Sequence, residues 1–171
     1  MTFMELAKNR YSVRKFSDRP VEPEKIKAIL EAGNIAPTGK NNQPQRIYVI
    51  QSAEALAKVK ALCKCIYDAP VVLLFTYDIR EDWKNPFEPE YRSGVEDVSI
   101  VATHIMLEAE EQGLGTCWVN YFPNTELECA LGISDDEVSV LLLPIGYKAD
   151  DAKPAPMHEQ KKPLEDTVRY L

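Results

Sequence analysis

Three cations and a hydroxyl crowd into Arg10-Tyr-Ser-Val-Arg-Lys-Phe16, within a chain whose net charge is -7. Arg10, Arg14 and Lys15 bring positive charge, and Ser12 brings a short hydroxyl. A guanidinium presents a planar fork of N–H donors that matches phosphate oxygens, and a serine adds one more donor. In an extended segment side chains alternate, so Arg10, Ser12 and Arg14 would share one side. The chemistry that these types and spacing suit is the holding of a phosphate. Taken alone, the stretch equally suits a solvated helix end, and the rest of the chain has to decide.

A second cluster of donors lies in Ile35-Ala-Pro-Thr-Gly-Lys-Asn-Asn-Gln-Pro-Gln45. It is dense in turn formers, hydroxyls and amides, the composition of a surface loop or of one that offers polar groups to a ligand. Lys161-Lys162 adds late positive charge. Other chemistries lack their signatures. No Gly-x-Gly-x-x-Gly follows the first strand, no phosphate loop ends in Gly-Lys-Ser/Thr, and no Gly-x-Ser-x-Gly elbow occurs. The four cysteines, Cys63, Cys65, Cys117 and Cys129, have no evident histidine partner. Cys63-Lys-Cys65 is too closely spaced for the usual zinc knuckle, and only His104 and His158 remain, so no metal site is expected. The thiols are expected to be reduced and structural.

Several elements must position these groups. Residues 2–9 read as a short helix with Phe3, Leu6 and Ala7 on one face. Pro23 to Gly33 reads as a helix with Gly33 as its stop. Arg46–Ile50 is expected as a strand, and Ser52–Cys65 as a helix turning Leu56, Val59, Ala61 and Leu62 inward. Ala69–Tyr77 is a continuous apolar run, the pattern of a strand covered on both faces. Asp78–Tyr91, with Trp83, Phe87 and Tyr91 among prolines and charges, reads as an irregular excursion. Ser93–Gln112 is the strongest helix, apolar on most sides and so expected to be central and buried, with His104 packed inside it. Gly113–Asn120 enters a strand, Thr125–Leu131 is a short helix stopped by Gly132, and Val138–Tyr147 is a second buried strand. Such alternation gives an α+β or α/β domain with a central sheet.

At 171 residues the chain is one domain, 1–171, with a proline-broken arm from about residue 150. Its acidity argues against nucleic acid and anionic membranes as partners, and no apolar run approaches a membrane span. The N-terminus has no signal-peptide pattern, which points to the cytoplasm.

Five ordered motifs resemble the nitroreductase family of FMN-dependent oxidoreductases over almost the whole chain. They are Arg10-x-Ser12-x-Arg14-x-Phe16; Ala36-Pro37-Thr38-x-x-Asn41-x-Gln43-Pro44; Gly113-Leu-Gly-Thr116; Ile145-Gly146-Tyr147; and Lys161-Lys-Pro-Leu164. The resemblance implies an α+β fold, a central mainly antiparallel or mixed sheet flanked by helices. It implies a homodimer with FMN at the subunit interface. Arg10, Ser12 and Arg14 match positions that hold the phosphate and polar edge of the flavin, and Lys161 a basic position facing the phosphate. Pro37, Thr38, Asn41 and Gln43 match a loop that reaches the flavin from the partner. Asn120 falls where a backbone N–H meets the flavin N5, and Gly146 near the phosphate. Since the flavin carries the chemistry, no protein acid or base is expected. NAD(P)H would reduce FMN, and a small electron-poor acceptor such as a nitroaromatic or quinone would then take its place. The alternative is a flavin carrier or sensor without efficient turnover. Departures from the family pattern are Gln45, where an aromatic residue is frequent, and Glu159 in place of a basic residue.

Overall fold

A computed structural model describes residues 1–171. Helix α1 (Phe3–Asn9) opens on a capping box: the Thr2 hydroxyl accepts the Glu5 N–H while the Glu5 carboxylate accepts the Thr2 N–H. Helix α2 (Pro23–Asn34) begins with proline, whose missing N–H is no loss in a first turn. Strand β1 (Gln45–Ile50) follows, then α3 (Ala53–Leu62) capped by the Ser52 hydroxyl on the Ala55 N–H. After a turn of 3-10 helix at Lys64–Ile66 come β2 (Val71–Asp78) and α4 (Gly94–Glu111). The two-residue β3 (Gly115–Thr116), α5 (Asn124–Leu131), β4 (Glu137–Gly146) and the single-turn α6 (Leu164–Thr167) complete the chain.

The strands form one antiparallel sheet in the order β1-β2-β4-β3, so the fold is α+β as expected. The apolar run of β2 is explained by its place between β1 and β4, with helices on both faces. Successive side chains of a strand point to opposite faces. Val71, Leu73 and Phe75, with Leu141, Leu143 and Ile145 of β4, pack against Ile29 of α2 and Val98, Val101, Ala102 and Ile105 of α4. Val72, Leu74 and Leu142 face the other way, into a core with Val59 of α3, Ile66 and Leu127 of α5. Each large side chain fully withdrawn from water contributes about 1.5–3 kcal/mol, so the central strands dominate the stability of the sheet. The β2–β4 register slips at Phe75/Thr76, a bulge that leaves Val140 without a partner.

Four expectations need correction. Gly33 is not a helix stop. It lies inside α2, buried against α4, where a β-carbon would stand 2.6 Å from Ile105 Cδ1. Ala61 is exposed, because α3 buries only the stripe centred on Val59. Helix α4 is buried on one side only: Val95 is 53% and Ile100 is 38% exposed. His104 belongs to that outer side, with Nδ1 2.9 Å from the Ile100 carbonyl, and is not packed within the core.

Candidate functional site

The segment Arg10–Phe16 is extended and lies beside the sheet. Val13 is its anchor: fully buried, with its N–H bonded to the Thr116 carbonyl at 2.8 Å. Ser12 bridges to Thr116 and Phe16 to Lys148. Two glycines make this approach possible. A β-carbon on Gly115 would lie 2.6 Å from Val13 Cγ2, and one on Gly146, its strand partner, 3.1 Å from Phe16 Cδ1. With Val13 turned inward, the alternation of an extended chain sends Arg10, Ser12 and Arg14 the other way. All three act on one neighbour, Cys117. Burial pushes that thiol up, while the Arg14 and Arg10 charges and the Ser12 hydroxyl oppose the shift.

The C-terminal arm brings Lys161 to the same region. Tyr11 holds the arm down: its hydroxyl donates to the Ala152 carbonyl at 3.4 Å, and its ring meets His158 edge-on, centroids 6.2 Å apart. Lys148, ion-paired with Glu110 at 2.7 Å, stands over the Tyr11 ring with Nζ 4.9 Å from its centroid. The turn Pro156–Glu159 follows, and the Lys161 ammonium donates to the His158 carbonyl at 2.8 Å. The result is a cleft of about 450 Å³ lined by Ala7, Lys8, Arg10, His158, Glu159 and Lys161. Three basic side chains and one acidic one line it, in a chain that is acidic as a whole. Lys8 was not singled out from sequence; as the last basic residue of α1 it reads as an ordinary helix-end charge.

Asn120 lies elsewhere on the sheet margin, in a cleft of about 330 Å³ with Leu62, Tyr121, Phe122 and Pro123. Its side chain is held at both ends: Oδ1 accepts the Trp118 indole N–H at 2.6 Å and Nδ2 donates to the Val140 carbonyl at 2.7 Å. The neighbouring Val119 pairs with Leu142 in both directions, which turns the Asn120 backbone N–H away from the sheet, and no acceptor of the chain takes it. A fixed side chain beside an outward-facing N–H is suited to donate to a ligand atom.

Pro37, Thr38, Asn41 and Gln43 form a separate loop. Lys40, Asn41 and Gln43 all adopt left-handed backbone, with φ of 51°, 57° and 54°. Such conformations in residues other than glycine persist where neighbours over-determine them. Here the Thr38 hydroxyl accepts the Gln43 N–H at 3.1 Å, Asp97 Oδ1 accepts the Gly39 N–H at 2.7 Å, and Asn42 Nδ2 donates to the Glu81 carbonyl at 2.9 Å. No hydrogen bond or ion pair joins this loop to Arg10, Ser12, Arg14 or Lys161. The ten residues singled out from sequence thus fall into three places in one chain: a cationic cleft and its flank, an open N–H at the sheet margin, and a strained polar loop. The four cysteines are unpaired, and no three histidine, cysteine, aspartate or glutamate side chains cluster in a way that could hold a metal ion. No helix is long and apolar enough to cross a membrane.

Comparison with known proteins adds the following. A family model described as "Nitroreductase family" matches residues 7–66 and 58–147. The chain is 39% identical to a nitroreductase family protein from Clostridium difficile, whose crystal structure superposes with a TM-score of 0.93, covering 99% of this chain and 98% of that one. It is 28% identical, over 88% of its length and 80% of the relative's, to a protein of Methanothermobacter thermautotrophicus provisionally named NADH dehydrogenase/NAD(P)H nitroreductase. It shares its fold, at 23% identity and a TM-score of 0.85, with a provisionally named nitroreductase from Exiguobacterium sibiricum solved in complex with FMN; the match covers 100% of this chain and 98% of that one.

Proposed function

The chain belongs to the nitroreductase family, and from that premise we propose that it is an FMN-dependent NAD(P)H oxidoreductase acting on electron-poor small molecules. The observation that carries the reading is the cleft in which Lys8, Arg10 and Lys161 converge. A flavin phosphate carries nearly two negative charges, and an acidic protein needs such a local concentration of cations to hold it. FMN in the Exiguobacterium sibiricum neighbour and NAD(P)H in the name of the Methanothermobacter relative are in keeping with this cofactor and donor.

The donor set suits FMN. Arg10 and Lys161 would take the phosphate, with Lys8 raising the potential around them. Ser12 and Arg14, set on the same side of the extended segment, would meet the polar edge of the flavin. The Asn120 N–H would donate to N5, held in place by the bonds of its side chain to Trp118 and Val140. A donor at that atom favours the electron-rich ring and orients it. FMN, when bound, would supply hydride transfer from NAD(P)H to an electron-poor acceptor such as a nitroaromatic or quinone. No side chain is required to move a proton in the hydride step.

The site is proposed to be completed by a second copy. In one chain the Pro37–Gln43 loop has no bond to the cationic cleft, yet it exposes the polar groups a flavin needs. Apolar residues also remain uncovered on α1 (Phe3, Met4), on the outer side of α4 (Val95, Ile100) and on the arm (Met157, Leu164, Tyr170). Surfaces of this kind are suited to a homodimer that carries each loop to the other subunit's cleft. The direct test is anaerobic titration of the FMN-loaded protein with NADH and then NADPH. Bleaching of the flavin absorbance supports an oxidoreductase; a flavin that persists would instead make the protein a flavin carrier or sensor.

A further inference from the structure

Asp97 is 2% exposed, makes no ion pair, and sits in the first turn of α4. A carboxylate withdrawn from water needs donors in compensation, and the arrangement of its donors is informative. Oδ1 accepts the backbone N–H of Gly39 at 2.7 Å, and Oδ2 accepts the hydroxyl of Ser93 at 2.6 Å. Ser93 passes the connection on: its Oγ accepts the Trp83 N–H at 3.1 Å, and its own N–H donates to the Trp83 carbonyl at 2.9 Å. One buried carboxylate therefore clasps two surface segments, the Pro37–Gln43 loop with its single turn of 3-10 helix at Gly39–Asn41 and the excursion that follows β2. Gly39 is fitted to the clasp. A β-carbon there would stand 3.0 Å from both Ser93 Oγ and Trp83 Cβ.

The residue type matters. The Gly39 N–H can only donate, and the Ser93 hydroxyl donates to the other oxygen, so a carboxylate accepts both on one short side chain. Asparagine has the same shape but no charge and one acceptor, so it keeps at most one of the two bonds in the same sense and the Ser93 hydroxyl has to turn to accept its amide. The start of a helix, where backbone N–H groups carry partial positive charge, makes a carboxylate tolerable there. Directly beyond Gly39 lie the left-handed residues Lys40, Asn41 and Gln43.

We propose that Asp97 is a positioning residue for cofactor binding. By fixing Gly39, and through Ser93 the base of the excursion, it holds Thr38, Asn41 and Gln43 in the strained shape that meets the flavin. The proposal rests on the flavin reading above. It concerns a residue that touches neither the cationic cleft nor Asn120.

The experiment compares the wild type with Asp97→Asn and with Ser93→Ala, which spares the Asp97–Gly39 bond and the backbone bond from Ser93 to Trp83 but removes the hydroxyl that joins Asp97 to the Trp83 N–H. Two quantities are read: the FMN dissociation constant, from flavin fluorescence quenching on addition to apoprotein, and the rate of trypsin cleavage after the exposed Lys40, followed by mass spectrometry. Loss of a hydrogen bond to a buried charge should weaken FMN binding about tenfold in Asp97→Asn. Cleavage after Lys40 should rise by a similar factor, and Ser93→Ala should shift both quantities less, in the same direction. If Asp97→Asn fails to fold, Ser93→Ala carries the test. A folded variant with wild-type FMN affinity overturns the proposal, whether or not cleavage rises. A wild type that takes up no FMN overturns the flavin reading itself, and unchanged cleavage in both variants then overturns the clasp independently.

Discussion

Gly33 of α2 meets Ile105 of α4 so closely that a β-carbon on the glycine would lie 2.6 Å from Cδ1 and 2.7 Å from Cγ1 of the isoleucine. The contact sets how near the two helices on that face of the sheet can come. On an exposed helix a Gly→Ala change gains about 0.5–1 kcal/mol from propensity. Here the overlap is with a fully buried side chain in a packed core, where overfilling costs about 1–3 kcal/mol, so the overlap wins. Gly33→Ala should therefore lower Tm by several degrees. Adding Ile105→Val, which removes the nearer carbon, should recover part of the loss. A Gly33→Ala protein more stable than wild type would contradict the packing.

Arg10→Ala and Lys161→Ala should each weaken FMN binding roughly tenfold or more, since a charge-assisted hydrogen bond contributes about 1.5–3 kcal/mol. Raised salt should reduce wild-type affinity more than that of either variant. Isothermal titration at two ionic strengths measures both effects. Unchanged affinity in both variants would remove the phosphate from this cleft.

Acid stability has a specific contributor in Asp78. The Arg80 side chain, donating at 2.6 Å and 2.9 Å, and then the Arg80 backbone N–H hold its carboxyl at about 2, against an ordinary 3.8. A depressed carboxyl contributes stability that is fully present above its unfolded pKa and is lost as pH falls through the folded one. The loss should fall between about pH 4 and pH 2. Asp78→Asn should be less stable than wild type at pH 6, with the difference shrinking toward pH 2. Thermal melts across that range check this, and a difference independent of pH would contradict it.

The cysteines should differ in reactivity. Burial pushes the thiols of Cys63 and Cys117 up, whereas Cys129 is exposed. Iodoacetamide at pH 8 should label Cys129 first and Cys63 and Cys117 last, because the thiolate is the reacting form. Early labelling of Cys117 in the folded protein, read by peptide mass mapping, would contradict its placement beneath Ser12.

Truncation before Lys153 should loosen a dimer, since the arm exposes Met157, Leu164 and Tyr170. Sedimentation velocity of full-length and shortened chains measures this. A shortened chain that dimerises as tightly as the full one would remove the arm from the interface.

How far sequence reached depended on whether local pattern or distant packing set each feature. Strand β2 was legible because a short apolar run bounded by Pro70 and the charged Asp78–Arg80 has few other uses. Helix α5 was legible from its stop, since Gly132 adopts the left-handed conformation at its end. Gly33 was misread because a glycine near a helix end looks the same whether it caps the helix or admits a neighbour, and only the position of Ile105 decides. Helix α4 looked buried all round because its outer Val95 and Ile100 are apolar, yet nothing in a single chain covers them. The cationic group Arg10, Ser12, Arg14 and Lys161 was visible as types and spacing, but the return of Lys161 to Arg10 rests on Tyr11 meeting Ala152 and His158, contacts that no local pattern shows. Asp97 could not be singled out: an acidic residue in the first turn of a helix is ordinarily a solvated one, and its burial comes from Gly39, 58 positions earlier.

The most direct measurement is the visible spectrum of the protein reconstituted with FMN, recorded anaerobically before and after NADH and then NADPH. A bound-flavin spectrum that bleaches with either nucleotide, and recovers when a quinone or nitroaromatic is added, is the result expected of an FMN-dependent oxidoreductase. A colourless protein that takes up no added FMN would contradict it.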